Sequence, residues 1–173
     1  MLRYVKSLSE HNSLKELSKE YTFSTGDIVA FSSDTLIGRF IRMFTGETYS
    51  HMALVWVIDN RVFTVEALDG KGVLIRPLSE LLPYYHLKTV FEFTKEDEEY
   101  MLSKVGSSYS YLDAILAGLG IKTKKNNSYQ CAEFVADVCG FDEAHIGKLT
   151  PGNVMEFFMS LDNFEVKDDS KSD

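Results

Sequence analysis

Three residues of this chain have the types needed for a cysteine nucleophile: Cys131, His51 and Glu66. Cys131 stands in Ser128-Tyr129-Gln130-Cys131-Ala132-Glu133-Phe134-Val135, where a polar loop turns into an amphipathic helix. A thiol in the first turn of a helix faces unpaired backbone N–H groups and the positive end of the helix dipole, and both favour the thiolate. His51 opens an apolar strand far upstream, and Glu66 is a lone carboxylate in the next strand. An imidazole can take the thiol proton, and a carboxylate can hold the imidazole in orientation. Each also has a plainer structural use. Cys131 could be a small core hydrophobe, His51 a strand histidine, and Glu66 the partner of Arg76.

The elements that must bring them together are a hairpin and a helix. Tyr49–Ile58 and Val62–Leu68 read as strands joined at Asp59-Asn60. With a two-residue turn there, Ala53 falls opposite Glu66 and His51 opposite Leu68. His51 and Glu66 are then diagonal neighbours on one face of the sheet. The other face (Met52, Leu54, Trp56, Ile58, Phe63 and Val65) is apolar too, so both faces are expected to be covered. On the helix, Cys131, Phe134, Val135, Val138 and Cys139 share one stripe. If that stripe packs on the His51/Glu66 face, thiol meets imidazole and nearby backbone N–H groups can stabilise an oxyanion. Ser50, Tyr129 and Gln130 flank the two key residues and are expected as substrate or oxyanion contacts.

The rest of the chain reads as one α+β domain. Residues 1–20 form an N-terminal arm with a short helix at Ser13–Leu17, docked loosely. The domain proper spans 21–165, and 166–173 is a charged, disordered tail. Ile28–Phe31 is a buried strand, and Leu36–Phe44 a helix with Asp34 near its start and Arg39 and Arg42 at a solvated edge. Val73–Pro77 is a third strand, and Leu87–Phe93 a fourth at the sheet edge. Helices follow at 95–105, 109–119, 129–138 and 150–159, with Gly140 stopping the third of them. His11, His86 and His145 lack matching partners in sequence and read as surface or loop residues. Cys139 reads as core.

The chain has 173 residues, 45% hydrophobic and 25% charged, with a formal net charge of −8. Such an acidic balance argues against nucleic acid as a partner, because phosphates demand a basic surface. No segment reads as a signal peptide or a membrane span, so a cytoplasmic protein is expected. The two cysteines, roughly 12 Å apart along one helix, are read as free thiols. There is no His-Glu-x-x-His, Cys-x-x-Cys or Ca²⁺ loop, and no phosphate-binding glycine motif. Neither metal nor cofactor is therefore expected.

Four segments carry a family resemblance. They are Gly26-Asp27-Ile28-Val29-Ala30-Phe31, Tyr49-Ser50-His51-Met52-Ala53-Leu54-Val55, Val65-Glu66-Ala67 and Tyr129-Gln130-Cys131-Ala132-Glu133-Phe134-Val135. Together they resemble the circularly permuted NlpC-type, papain-like superfamily of cysteine hydrolases, over about residues 22–160. The order His51, Glu66, Cys131 is that of the permuted form. The resemblance implies a papain-like core, an antiparallel sheet packed on the cysteine helix, with a triad of Cys131, His51 and a polar third residue at Glu66. Relatives include cell-wall peptidases, amidases and lipid acyltransferases. The expected activity is hydrolysis of an amide bond in a peptide or peptide-like substrate through an acyl-enzyme. Hydrolysis or transfer of a lipid ester or thioester acyl group is the alternative. A catalytically silent binding module on the same fold is a further one. The substrate, whether peptide or small acyl compound, and the oligomeric state are not encoded in any residue pattern found.

Overall fold

The turn at Asp59-Asn60 sets the register of the sheet. Both residues take left-handed backbone conformations, with φ 47° and 59°. That is the two-residue turn whose twist matches its flanking strands. Strands β3 (His51–Ile58) and β4 (Arg61–Leu68) therefore pair with Leu54 across from Val65 and Ile58 across from Arg61. Continued by one residue, this register places Ala53 opposite Glu66, as the sequence predicts.

The structure, a computed structural model, describes residues 1–16, 22–32, 48–109 and 128–168. Four more strands complete one antiparallel sheet: β1 (Leu2–Val5), β2 (Ile28–Phe31), β5 (Gly72–Pro77) and β6 (Tyr84–Leu87). Their order is β1-β6-β2-β3-β4-β5. Strands β7 (Ser108–Tyr109) and β8 (Ser128–Tyr129) form a separate short parallel pair. The helices are α1 (Leu8–Glu16), α2 (Lys95–Ser103), α3 (Cys131–Val138), α4 (Glu143–Ile146) and α5 (Pro151–Asp168).

Both faces of the sheet are covered. Ile28, Ala30, Met52, Leu54, Val65, Ala67 and Val73 pack with Phe134, Val135 and Val138 of α3, Met155 and Phe158 of α5, and Met101 of α2. The opposite face carries Val29, Ala53, Val55, Val62 and Tyr84, packed with Val5, with Leu14 of α1, with Phe23 and with Leu78. Alternation along each strand follows from the pleat.

Several expectations are corrected here. Of the predicted N-terminal arm, residues 1–16 are described: the helix is present as α1, starting earlier than predicted, and this part is not loosely docked. Residues 2–5 are a strand paired to β6, and Val5, His11 and Leu14 are buried. The fourth predicted strand is displaced. Tyr84–Leu87 forms it, between β1 and β2 and away from the edge, and Thr89 gives its N–H to Asp27 Oδ1 instead of to a ladder. Helix α5 continues through Asp168, into the predicted tail. The α3 stripe packs on the Met52/Leu54/Val65 face, not on the His51/Glu66 face. Its apolar residues pack on the side of the hairpin with the larger apolar residues, whereas the other side carries Thr64 and Glu66 and is taken up by α1 and Phe23. The predicted helix at Leu36–Phe44, with Asp34, Arg39 and Arg42, lies outside the described residues, as does 110–119.

Candidate functional site

His51 is the first residue of β3, and its partner across the ladder is Phe31, the last residue of β2. Its ring therefore stands at the end of a strand, stacked on the Phe31 ring at 5.6 Å between centroids and 30° between planes. Cys131 is the first residue of α3, with Gln130 as N-cap in an extended conformation. Although α3 lies on the other face of the sheet, its first turn reaches the strand end, and the Cys131 thiol comes close enough to the His51 ring to favour its charged form. The side chain of Cys131 is nearly buried, at 6% exposure.

The third residue is held harder than the sequence reading foresaw. His51 Nε2 lies 2.5 Å from Glu66 Oε2. Arg76 grips the same carboxylate with two bonds, Nε to Oε1 and Nη2 to Oε2, both 2.8 Å. Thr64 donates its hydroxyl to Oε1 at 2.8 Å. Four donors thus converge on a side chain with no exposed surface. Burial alone would push the Glu66 carboxyl up. The bonds from His51 and Arg76 outweigh it and hold the group at about 2. For His51 burial opposes the charge, but interactions with Cys131 and Glu66 raise it from 6.5 to about 9.

This arrangement fixes the roles of the ring nitrogens. Nε2 is committed to a carboxylate that stays ionised, so Nδ1 is the nitrogen left for Cys131. The set can pass a proton from Sγ to Nδ1, with the imidazolium stabilised by Glu66. The amide of Cys131, in the first helical turn, has no intrahelical acceptor and stands beside the thiol; the first intrahelical bond runs from Phe134 N to Gln130 O.

The structure brings Cys131, His51 and Glu66 together. Of the flanking residues, Ser50 gives both its N–H and its Oγ–H to Phe31 O, at 2.9 and 3.2 Å, which ties the start of β3 to β2. Gln130 is buried and caps α3 through its backbone. Tyr129 is placed in β8. Cys139 is a free thiol near the end of α3 whose burial pushes it far up, away from reactivity. Arg76, read from the sequence as a structural partner of Glu66, does pair with it, and Thr64 is added to the site. They face each other across the β4–β5 ladder, and the signal available for them was an arginine inside an otherwise apolar strand.

The remaining histidines divide. His145 is exposed, as read, but it pairs with Asp142, the N-cap of its helix, a partner the sequence reading did not give it. His11 and His86 are corrected: both are buried, bonded to Tyr84 Oη at 2.6 Å and to Asp27 Oδ2 at 2.8 Å. Their partners lie 73 and 59 residues away, so no local spacing could show them.

Among the described residues no three His, Cys, Asp or Glu side chains form a metal-binding group, and no helix is long and apolar enough to cross a membrane. No protein-family model matches the chain, and no curated protein matches it by sequence. Solved structures do match in fold. The metalloprotein YiiX from Escherichia coli O157:H7, a DUF1105 protein, aligns with a TM-score of 0.51 at 18% sequence identity, over 66% of this chain and 63% of that one. The match therefore spans somewhat under two thirds of that protein's length. The protein has an α+β fold built on an antiparallel sheet with helices against it.

Proposed function

We propose that this protein is a cysteine hydrolase of the permuted papain-like kind, cleaving an amide bond in a peptide or peptide-like substrate. The observation that carries the reading is the series Cys131–His51–Glu66, with the thiol beside an imidazole that is bonded to a buried carboxylate. A thiol kept only as core packing has no use for an imidazole whose far nitrogen rests on a buried, ionised carboxylate. In the proposed reaction Sγ loses its proton to His51 Nδ1 and attacks the carbonyl carbon. The tetrahedral oxyanion forms beside the first amides of α3. Collapse breaks the C–N bond, and Nδ1 returns its proton to the leaving amine. Water, deprotonated by His51, then releases the acyl group and restores the thiol.

YiiX is described as a metalloprotein. In this chain Nε2 of His51 is held by Glu66, and the ring also interacts with the Cys131 thiol. A metal at His51 would have to displace one of them, so thiol chemistry is favoured.

The test is a panel of short peptide amides set against long-chain acyl esters and thioesters, with adducts read by intact mass after rapid acid quench. Peptide amides should acylate Cys131 faster, and Cys131→Ala should form no adduct. Adducts from the long-chain acyl compounds alone would turn the reading to lipid acyl chemistry. If no compound reacts and Cys131 is alkylated no faster than a free cysteine peptide, the protein is a silent module on this fold.

A further inference from the structure

Glu66 is fully buried, and the charges that face it come from three elements: His51 on β3, Arg76 on β5, and Cys131 of α3 acting through His51. Glu80, on the turn after β5, adds a second negative charge near Arg76. Charge can be counted over the buried unit of Cys131, His51, Glu66 and Arg76. With a thiol and a neutral imidazole, the carboxylate and guanidinium cancel. With a thiolate and an imidazolium there are two of each sign, and the sum is again zero. Moving the proton from Sγ to Nδ1 therefore leaves the unit neutral on both sides of the step.

Without the guanidinium the same unit carries one net negative charge in both states. A net charge in a low-dielectric site is costly, and the nearest remedy is to bind a proton. That proton fills both His51 and the thiol at once. The imidazole is then no base, and the sulfur is no nucleophile.

We propose that Arg76 is a positioning residue of this site. By gripping Glu66 through both oxygens it neutralises the carboxylate and aims it at His51 Nε2, so that His51 is free to exchange a proton with Cys131. The geometry supports this in two ways. The bonds are the parallel pair that an arginine makes best and a lysine cannot. The guanidinium also reaches Glu66 from a side chain that is 34% exposed, so its charge costs little to keep. The role rests on the proposed thiol chemistry and deepens it.

The experiment follows alkylation of Cys131 by iodoacetamide from pH 5 to pH 10, with the His51 ring nitrogens followed by NMR, in wild type, Arg76→Gln and Arg76→Lys. In Arg76→Gln the alkylation midpoint and the His51 midpoint should both rise by about one pH unit, the low end of a single-charge effect because Arg76 is partly exposed. Alkylation at neutral pH should slow about tenfold. Arg76→Lys keeps the charge but not the paired bonds. Its midpoints should stay near wild type while the plateau rate falls severalfold. Should Arg76→Gln fail to fold, Arg76→Lys decides by that plateau. A folded Arg76→Gln or Arg76→Lys with the wild-type profile, while wild-type Cys131 remains hyper-reactive and dependent on His51, overturns the role of Arg76 alone. A wild-type Cys131 that reacts like a free cysteine peptide overturns the thiol chemistry beneath it.

Discussion

Glu66→Gln is a change that the sequence alone makes look mild, since glutamine can still accept a hydrogen bond from an imidazole. The structure makes it severe. Four donors meet the carboxylate, at 2.5 Å from His51 and 2.8 Å from each of the two Arg76 nitrogens and from Thr64. Glutamine offers one acceptor oxygen and one NH₂. The best placement leaves the oxygen toward His51 Nε2 and Arg76 Nη2. The NH₂ then sits at the Oε1 end. Thr64 can adapt by turning its hydroxyl to Arg76 O, 3.3 Å away, and accepting from the amide. Arg76 Nε–H cannot adapt and faces another donor. One bond to a charged group is lost, on the order of 1.5–3 kcal/mol, and the guanidinium loses its counter-charge. Full burial would take the total to about 3–5 kcal/mol. Since Arg76 can recover water through its exposed third, about 2–3 kcal/mol is expected. For a chain of this length that is a fall in Tm of roughly 5–10 °C. Calorimetry or urea denaturation on Glu66→Gln, Arg76→Gln and the double variant measures it. The double variant, with no unpaired charge, should be more stable than the two single losses summed, by about 1–2 kcal/mol. Strict additivity, or a Glu66→Gln variant within about 0.5 kcal/mol of wild type, would show that the carboxylate is not gripped as described.

Three other outcomes are expected. Stability should follow pH from both ends, read as Tm against pH. His51, raised to about 9, stabilises fully below 6.5 and loses that contribution as pH rises through 9; Glu66, lowered to about 2, stabilises fully above 4.5 and loses it as pH falls through 2. Replacing His51 by Asn should flatten the alkaline limb, and an unchanged limb would mean another group causes it. Cys139→Ala should leave Cys131 alkylation within about twofold of wild type, because Cys139 sits at the negative end of α3 and is held protonated by burial; a large loss would implicate it in the chemistry. Asp27→Ala should destabilise by about 2–4 kcal/mol in denaturant, since it strips His86, Ser24 N and Thr89 N of their common acceptor while leaving Cys131 reactivity in place.

What the sequence revealed and what it hid divide along physical lines. The pairing of His51 with Glu66 was legible because a two-residue turn dictates register over a whole hairpin, and Asp59-Asn60 is that turn. The place of Cys131 in the first turn of α3 was legible from the switch between polar loop and apolar stripe, although the helix starts two residues later than predicted, with Tyr129 in β8. The face on which α3 packs was not, because both sides of the hairpin are apolar enough to attract it. Contact with His51 survives that error only because both residues stand at the ends of their elements. Strand β1 was hidden among charged neighbours, and its partner β6 lies across the chain, with Leu2 opposite Leu87. The Tyr84-Tyr85-His86 run was left without an element for want of aliphatic neighbours, and His86 alone was read as surface or loop. The polar contacts His11–Tyr84 and His86–Asp27 are equally non-local, and only the folded sheet defines them.

The strand order implies an order of assembly. His51, Glu66 and Arg76 all lie in the meander β3-β4-β5, whose turns are short and whose contacts are local. Cys131 is separated from this unit by a stretch of chain longer than the meander itself, and β6 must find a place between β1 and β2, the first of which enters from the far end of the chain. Local contacts form before distant ones repay their loop entropy. His51, Glu66 and Arg76 are therefore expected to assemble as an early unit, with Cys131 brought to it when α3 docks. A refolding chain should acquire amide protection in β3–β5 ahead of β1, β6 and α3, and should show a thiol of ordinary reactivity until the last of these is protected. Pulsed hydrogen exchange paired with pulsed alkylation reads both clocks in one experiment, and simultaneous protection of all six strands would remove the early unit. In kinetic terms, the proposed thiol chemistry would be switched on only by completion of the fold, so a nascent or damaged chain would hold His51, Glu66 and Arg76 in place without a reactive Cys131.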